Sequence, residues 1–282
     1  TDIMQGSLKK LVTSNFKVRK RVVEVMPVLK ELTTPDESII FNIDQLLKKH
    51  YDAEVSAYSI YKDPNYLYFF KTLINNVVDR IFYCEDEDSA FLGFAHFKIR
   101  GDSLVLNNII IDSEYQSSGV GSFLLRSALE RLQQDKSNFD YFELEVFEKN
   151  VRAFNWYINL GMDVVNYNNW YNITSYFRSD TVGSATPGGY EKESFTCVYD
   201  QNGFKQLMHQ GLHIGTLINE THLIIRTEID YNLWRKINWY FKESSLKSVC
   251  LVSKKKHDLF LIDKSFLLRI PFQKIQLSND VK

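Results

Sequence analysis

Ile109-Ile110-Ile111-Asp112-Ser113-Glu114-Tyr115-Gln116-Ser117-Ser118-Gly119-Val120-Gly121-Ser122 decides how this chain is read. It begins as a β-branched apolar run, the signature of a buried strand, and closes on two glycines. Residues 123–134 then place Phe123, Leu124, Ala128 and Leu132 on one helical face, widened by Leu125 and Leu129. A strand that runs through a glycine loop into a helix has a chemical meaning. The first helical turn leaves backbone N–H groups unpaired and carries partial positive charge. Glycines let that backbone come close to an anion, so the loop can cradle a phosphate. The loop lacks the third glycine of a dinucleotide fingerprint and the lysine of a P-loop. An ordinary strand-to-helix turn accounts for two glycines equally well.

Working outward, residues 36–49 follow Pro35 and carry Ile39, Ile40, Ile43, Leu46 and Leu47 at helical spacing. A second helix after Pro64 has Tyr66, Phe69, Phe70, Leu73, Ile74 and Val77 on one broad side. The period then changes, and 81–84, 91–99 and 104–111 read as strands. The acidic run from Glu85 to Asp88 reads as a solvated hairpin turn, and Gly101-Asp102 as the next turn. Beyond the glycine loop and its helix come a strand at 139–147 and a helix at 150–160 that Gly161 ends. On that helix Asn150, Ala153 and Tyr157 share one face. Val151, Phe154 and Ile158 form the next stripe, which is assigned to the core.

Two motifs now stand in register: Gln116, Gly119 and Gly121, entered from 109–112, then Asn150, Ala153, Tyr157 and Gly161. With them the chain resembles the GNAT superfamily of acetyl-CoA-dependent N-acetyltransferases. That family's cofactor loop runs Gln/Arg-x-x-Gly-x-Gly/Ala, and its following helix carries Asn, Ala, Tyr and Gly at this spacing. Leu144-Glu145-Val146 also looks like the family's intervening strand. The resemblance covers about residues 36–172. It departs at Ser117-Ser118, where the family often has Gly, Arg or Lys. Phosphate binding is therefore expected to depend on backbone amides more than on side-chain charge.

The resemblance implies an α/β (α+β) fold with a mixed, mostly antiparallel central sheet flanked by helices. A V-shaped opening in that sheet would hold acetyl-CoA as co-substrate. It implies cofactor contacts from Ile110, Ile111, Gln116, Ser117, Ser118, Gly119, Val120, Gly121, Ser122, Asn150 and Ala153, and no metal. Acetyl transfer to an amine needs two proton movements, because the amine is mostly ammonium at neutral pH and the leaving thiolate must be protonated. The resemblance makes Tyr157 the acid and Glu145 the base, with Glu143 on the same strand face as the alternative base. Asn107 and Asn108 stand where other members place a glutamate. Plain structural roles compete: Asn150 as a helix cap, Tyr157 as a rim residue, Glu145 as a solvated strand carboxylate.

Composition excludes several classes. With 44% apolar residues, 24% charged and a net charge of -1, the chain is neither disordered nor a phosphate-neutralising nucleic-acid binder. No apolar run is long enough to span a bilayer, and residues 1–10 lack a secretory signal's apolar core. Three widely spaced cysteines, Cys84, Cys197 and Cys250, suit free thiols in a reducing compartment, so a cytoplasmic location is expected. Net charge is -5 through Ser175 and +4 from Tyr176 onward. The small, polar 178–190 stretch between reads as a linker. Two domains are expected: 1–178, GNAT-like and catalytic, and 190–282, a smaller α+β unit. In the second, 195–199, 212–218, 222–229, 247–252 and 258–270 read as strands and 231–242 as a helix. It lacks a second glycine loop and is expected to be a degenerate copy of the same fold, to cover the acceptor site, or to mediate association.

Other candidates weigh less. His209, His213 and His222 lack a metalloprotease motif, and Lys254-Lys255-Lys256-His257 reads as a solvated turn. No Gly-x-Ser-x-Gly elbow is present. Tyr51, Tyr58, Tyr61, Tyr66, Tyr167, Trp170 and Tyr171 flank the regions that line the acceptor site in GNAT proteins. The expected partner is a small-molecule or peptide amine, with no nucleic acid and no membrane, in a monomer or homodimer. The alternative is a catalytically inactive acyl-CoA-binding regulatory or scaffold protein of the same fold.

Overall fold

Helix α1 (Glu37–His50) starts where Asp36 accepts hydrogen bonds from the backbone N–H groups of Ser38 and Ile39 at 2.9 and 3.2 Å. The structure, a computed structural model, describes residues 26–50, 53–135, 138–178, 195–228 and 230–275. Tyr51 and nearly all of the expected linker at 178–190 lie outside the described residues. After α1 come α2 (Ala53–Ser56), a 3-10 turn at Ile60–Lys62 and α3 (Tyr66–Ile74). Because α3 ends at Ile74, Val77 is exposed and not on its buried side.

An unanticipated β1 (Val28–Glu31) pairs with β2 (Asp79–Glu85), which is followed by β3 (Phe91–Arg100) and β4 (Ser103–Ile111). The glycine loop then leads into α4 (Val120–Gln134), β5 (Tyr141–Phe147), α5 (Val151–Asn159), β6 (Asp163–Asn172) and the short α6 (Thr174–Arg178). The remainder forms β7 (Phe195–Tyr199), β8 (Lys205–His209), β9 (Leu212–Ile218), β10 (His222–Ile225), α7 (Tyr231–Glu243), β11 (Ser248–Ser253) and β12 (Phe260–Pro271). Lys205–His209 contains no β-branched residue, which is why it escapes a propensity reading.

The described strands form one sheet in the order β1-β2-β3-β4-β5-β12-β6-β11-β10-β9-β8-β7. Only β4–β5 and β10–β11 are parallel. On one face α4 buries Leu124, Leu125, Ala128 and Leu132 against Phe97, Leu104, Phe142 and Leu144. On the other, α1 and α3 bury Ile40, Ile43, Leu47 and Phe70 against Ile81, Phe94 and Ile110.

The expected division at 178–190 is not a division of the sheet. Strand β12, from the far end of the chain, lies between β5 and β6 and pairs antiparallel with both. Its Leu268 and Ile270 are buried in the core that α4 covers. A strand's own residues specify which faces are apolar but not which neighbour it pairs with, so this return is invisible in local sequence.

The two halves also repeat one topology. In each, an antiparallel meander (β1–β4, β7–β10) leads through a helix (α4, α7) to a strand parallel to the last (β5, β11). The final strand of each half, β6 or β12, pairs with the parallel strand of the other half. Even the irregularities match. A Cβ on Gly93 would lie 2.5 Å from the Ile110 carbonyl oxygen, and one on Gly215 would lie 2.3 Å from that of Ile224. Each glycine faces a register shift on its other neighbour, at Cys84/Glu85 and at Leu207/Met208.

Candidate active site

Strands β4 and β5 pair only from Ser103 to Leu106 against Tyr141 to Leu144, and then part. At the parting point Asn107 is an extra residue, because His96 faces Asn108 while Phe97 faces Leu106. The resulting crevice is a cavity of about 450 Å³. Ile110, Ile111, Gln116, Ser117, Gly119, Gly121 and Ser122 line it from the strand end and loop; Asn150, Ala153 and Tyr157 line it from α5. Glu145 lines it from β5. Ser118 and Val120 do not. Ser118 donates its hydroxyl to the Tyr115 carbonyl, and Val120 is buried in the core.

The loop fits an anion such as the pyrophosphate of a CoA ester. Gly119 caps α4 with φ +88°, a conformation that other residues adopt only with strain. A Cβ on Gly121 would make only an ordinary contact with Ile111, 3.5 Å away, so the backbone there is open to the crevice side. Gln116 donates its amide to the Ile111 carbonyl at 3.0 Å, fastening the loop to the strand end. Arg152, from the first turn of α5, donates to Gln116 Oε1 at 3.1 Å and to Ser117 Oγ at 3.2 Å. A side-chain cation thus stands beside the loop, in addition to its backbone amides. The cation comes from α5, and Ser117 and Gln116 accept its hydrogen bonds.

Helix α5 faces inward by its other stripe. Val151 and Ile158, assigned to the core from spacing, are exposed, whereas Tyr157 is 6% exposed. Phe154 is partly buried and packs on the core. Asn150 Oδ1 accepts from the Ala153 N–H at 3.3 Å, so it caps the helix as well as lining the crevice. Burial pushes the Tyr157 phenol well above its usual value, which keeps it protonated.

A second cavity, also about 450 Å³, adjoins the first and shares Asn107, Asn108, Leu144, Glu145 and Phe147 with it. Tyr58, Tyr61, Tyr66 and Phe69 wall it, and Asp79, His96, Lys98, Arg100 and Glu143 line it from the sheet. Asn108 donates to the Tyr61 hydroxyl at 2.9 Å, and His96 Nε2 lies 2.8 Å from Asp79 Oδ1 with both side chains buried. Trp170 lines this cavity; Tyr167 and Tyr171 do not, Tyr171 being buried in the second half's core. The opposite wall is Thr216, Ile218, Ile224 and Arg226 of the second half. The sequence had singled out none of these four, nor His96 and Asp79.

Glu145 thus stands where the two cavities meet. Its Oε1 accepts from Ser265 Oγ at 2.5 Å and from Asn168 Nδ2 at 3.3 Å, both neutral partners on β12 and β6. Glu143 is buried and ion-paired with Arg269, its β12 neighbour. Of the two carboxylates, Glu145 is the one without a cation. Among the described residues no group of three His, Cys, Asp or Glu side chains could hold a metal; His213 bonds Gln206, and His222 bonds Ser248.

Residues 43–162 match the family model described as Acetyltransferase (GNAT) family. No curated protein matches this sequence. Among solved structures, the chain is similar to a PaiA N-acetyltransferase from Thermoplasma acidophilum in complex with coenzyme A, at 16% identity over 50% of this chain and 92% of that one, with a TM-score of 0.43. A ribosomal-protein-alanine N-acetyltransferase from Escherichia coli is 19% identical over 50% of this chain and 81% of that one, TM-score 0.38. A spermidine/spermine N-acetyltransferase from Vibrio cholerae is 20% identical over 50% and 80%, TM-score 0.38.

Proposed function

We propose, from the match of residues 43–162 to the GNAT acetyltransferase model, that this chain moves an acetyl group from acetyl-CoA directly to a primary amine. The observation that carries the reading is Glu145 at the junction of a phosphate-cradling crevice and a second, aromatic-walled cavity. Bound acetyl-CoA supplies an electrophilic thioester carbonyl; everything else falls to the chain. The loop amides at Ser117, Gly119, Gly121 and Ser122 and the Arg152 guanidinium hold the diphosphate. The acceptor lies in the second cavity with its nitrogen toward Glu145. Glu145, oriented by Ser265 and Asn168, takes the ammonium proton, so that the nitrogen lone pair is free to attack. As the N–C bond forms and the C–S bond breaks, Tyr157 gives its proton to the departing sulfur, and the second proton leaves the nitrogen to restore the phenol. Burial weakens the phenol as an acid, but a thiolate leaving into the same dry crevice is destabilised as well.

The second half is read as a degenerate copy of the first. It repeats the topology and the close-approach glycine, but the sequence between β10 and α7 contains no glycine. It therefore offers no anion cradle and serves as a wall of the acceptor cavity. The test is calorimetry with CoA, together with thiol release from acetyl-CoA over a panel of primary amines. Saturable CoA binding that Gly121→Trp abolishes in a folded variant, and thiol release dependent on an amine, are expected. CoA binding without release for any amine would favour a regulatory acyl-CoA binder.

A further inference from the structure

Charge is unevenly compensated around the second cavity. Asp79 pairs with His96, and Glu143 with Arg269. Among the described residues, no carboxylate lies within ion-pair distance of Lys98, Arg100 or Arg226, which all line the cavity. Three cations therefore face one uncompensated carboxylate, Glu145. The arrangement has a direction. The Arg226 guanidinium lies over the Trp170 ring, 4.9 Å from its centroid. The Trp170 indole N–H donates to Ser265 Oγ at 3.0 Å, and Ser265 donates to Glu145. One indole and one hydroxyl thus separate the proposed proton acceptor from a guanidinium held over the ring.

We infer that the acceptor is an amine that also carries an anionic group, a carboxylate or a phosphate, with the amine at Glu145 and the anion at Arg226. This rests on the acetyl-transfer reading above and adds the substrate class. Arg226 presents planar paired donors that match either anion. Lys98 and Arg100 raise the potential of the same cavity and attract anionic ligands to it. A polyamine would set its remaining ammonium groups against these three cations. The second half would then do more than close the cavity, since its Arg226 sets the specificity.

The test compares ε-aminocaproate and an aminoalkylphosphonate with hexylamine and hexamethylenediamine, probes that differ chiefly in the group far from the reacting amine. On the full chain, kcat/KM by thiol release should favour an anionic probe over hexylamine by about tenfold or more, and over hexamethylenediamine by at least as much. The two anionic probes report whether carboxylate or phosphonate fits better. Arg226→Gln should bring the anionic-to-hexylamine ratio toward one, and Arg226→Lys should keep part of it. A preference for hexamethylenediamine, or an unchanged ratio in Arg226→Gln, overturns the inference and leaves acetyl transfer standing. Binding of the same probes to the CoA-loaded protein by calorimetry separates the two. Arg226-dependent binding of ε-aminocaproate without any turnover would uphold the anion site and overturn the transfer reading.

Discussion

At the scale of single residues, the proposed chemistry rests on two side chains whose surroundings differ. Tyr157 is buried and its raised pKa keeps the proton on the phenol throughout any practical assay range. Tyr157→Phe preserves the ring and its packing, so CoA affinity should survive while turnover falls by about 10² to 10⁴-fold where chemistry limits the rate. In the wild type no alkaline fall in rate from ionisation of this phenol is expected up to pH 10, because the shift is upward. Glu145 is exposed at the cavity junction and held by neutral groups. Glu145→Gln should depress kcat/KM most at low pH, where the acceptor is protonated, and recover partly as pH rises. A structural defect would show no such recovery, and a pH–rate profile of both variants checks the assignment.

At the scale of elements, the site depends on where helix ends point. The first turn of α5 reaches the loop that precedes α4, and Arg152 bridges them. Arg152→Ala should weaken CoA binding by about tenfold, the order of one charge-assisted contact, and the loss should shrink at high salt because this side chain is exposed. Calorimetry at two ionic strengths reads both effects. Asn150→Ala removes the cap of the same helix and should cost about 1 kcal/mol of stability, read as a lower Tm. The sequence already contained both motifs that form this crevice, since each lies within one element and its flanking turn. What spacing could not supply was the rotation of α5. Its two candidate stripes are both apolar enough, and only the sheet beneath decides that Tyr157 faces in and Val151 and Ile158 face out.

At the scale of the whole molecule, β12 joins the halves. It supplies Ser265 to Glu145 and Arg269 to Glu143, and it covers one edge each of β5 and β6. A chain ending at residue 258 loses the buried Ile262, Leu268 and Ile270, each contributing about 1.5–3 kcal/mol of burial, out of a total stability of about 5–15 kcal/mol. Such a truncation, and equally a 1–178 fragment, should lose cooperative thermal unfolding and CoA binding. Circular dichroism melts and calorimetry check this. The buried thiols add a pH dependence. Burial pushes Cys84 and Cys250 up to about 12, while the same groups ionise near pH 9 once the chain unfolds. Between those values the unfolded state holds fewer protons than the folded one, so stability falls as pH rises above about 9. Tm measured from pH 8 to 10.5 should drop, and less steeply in a Cys84→Ala, Cys250→Ala variant.

By itself the sequence determined the strand, glycine loop and helix at 109–134, the Asn150–Tyr157 helix and most of the elements on either side, though not β1 or β8. Each is encoded by a period or a turn within a short window, where neighbouring residues dictate the backbone. Only the tertiary structure decided that β12 returns between β5 and β6, that Arg152 reaches the loop and that Arg226 walls the second cavity. Strand pairing depends on complementary faces anywhere in the chain, and a cavity forms where elements fail to fill the space between them. Neither property belongs to any one segment, so neither can be read along it.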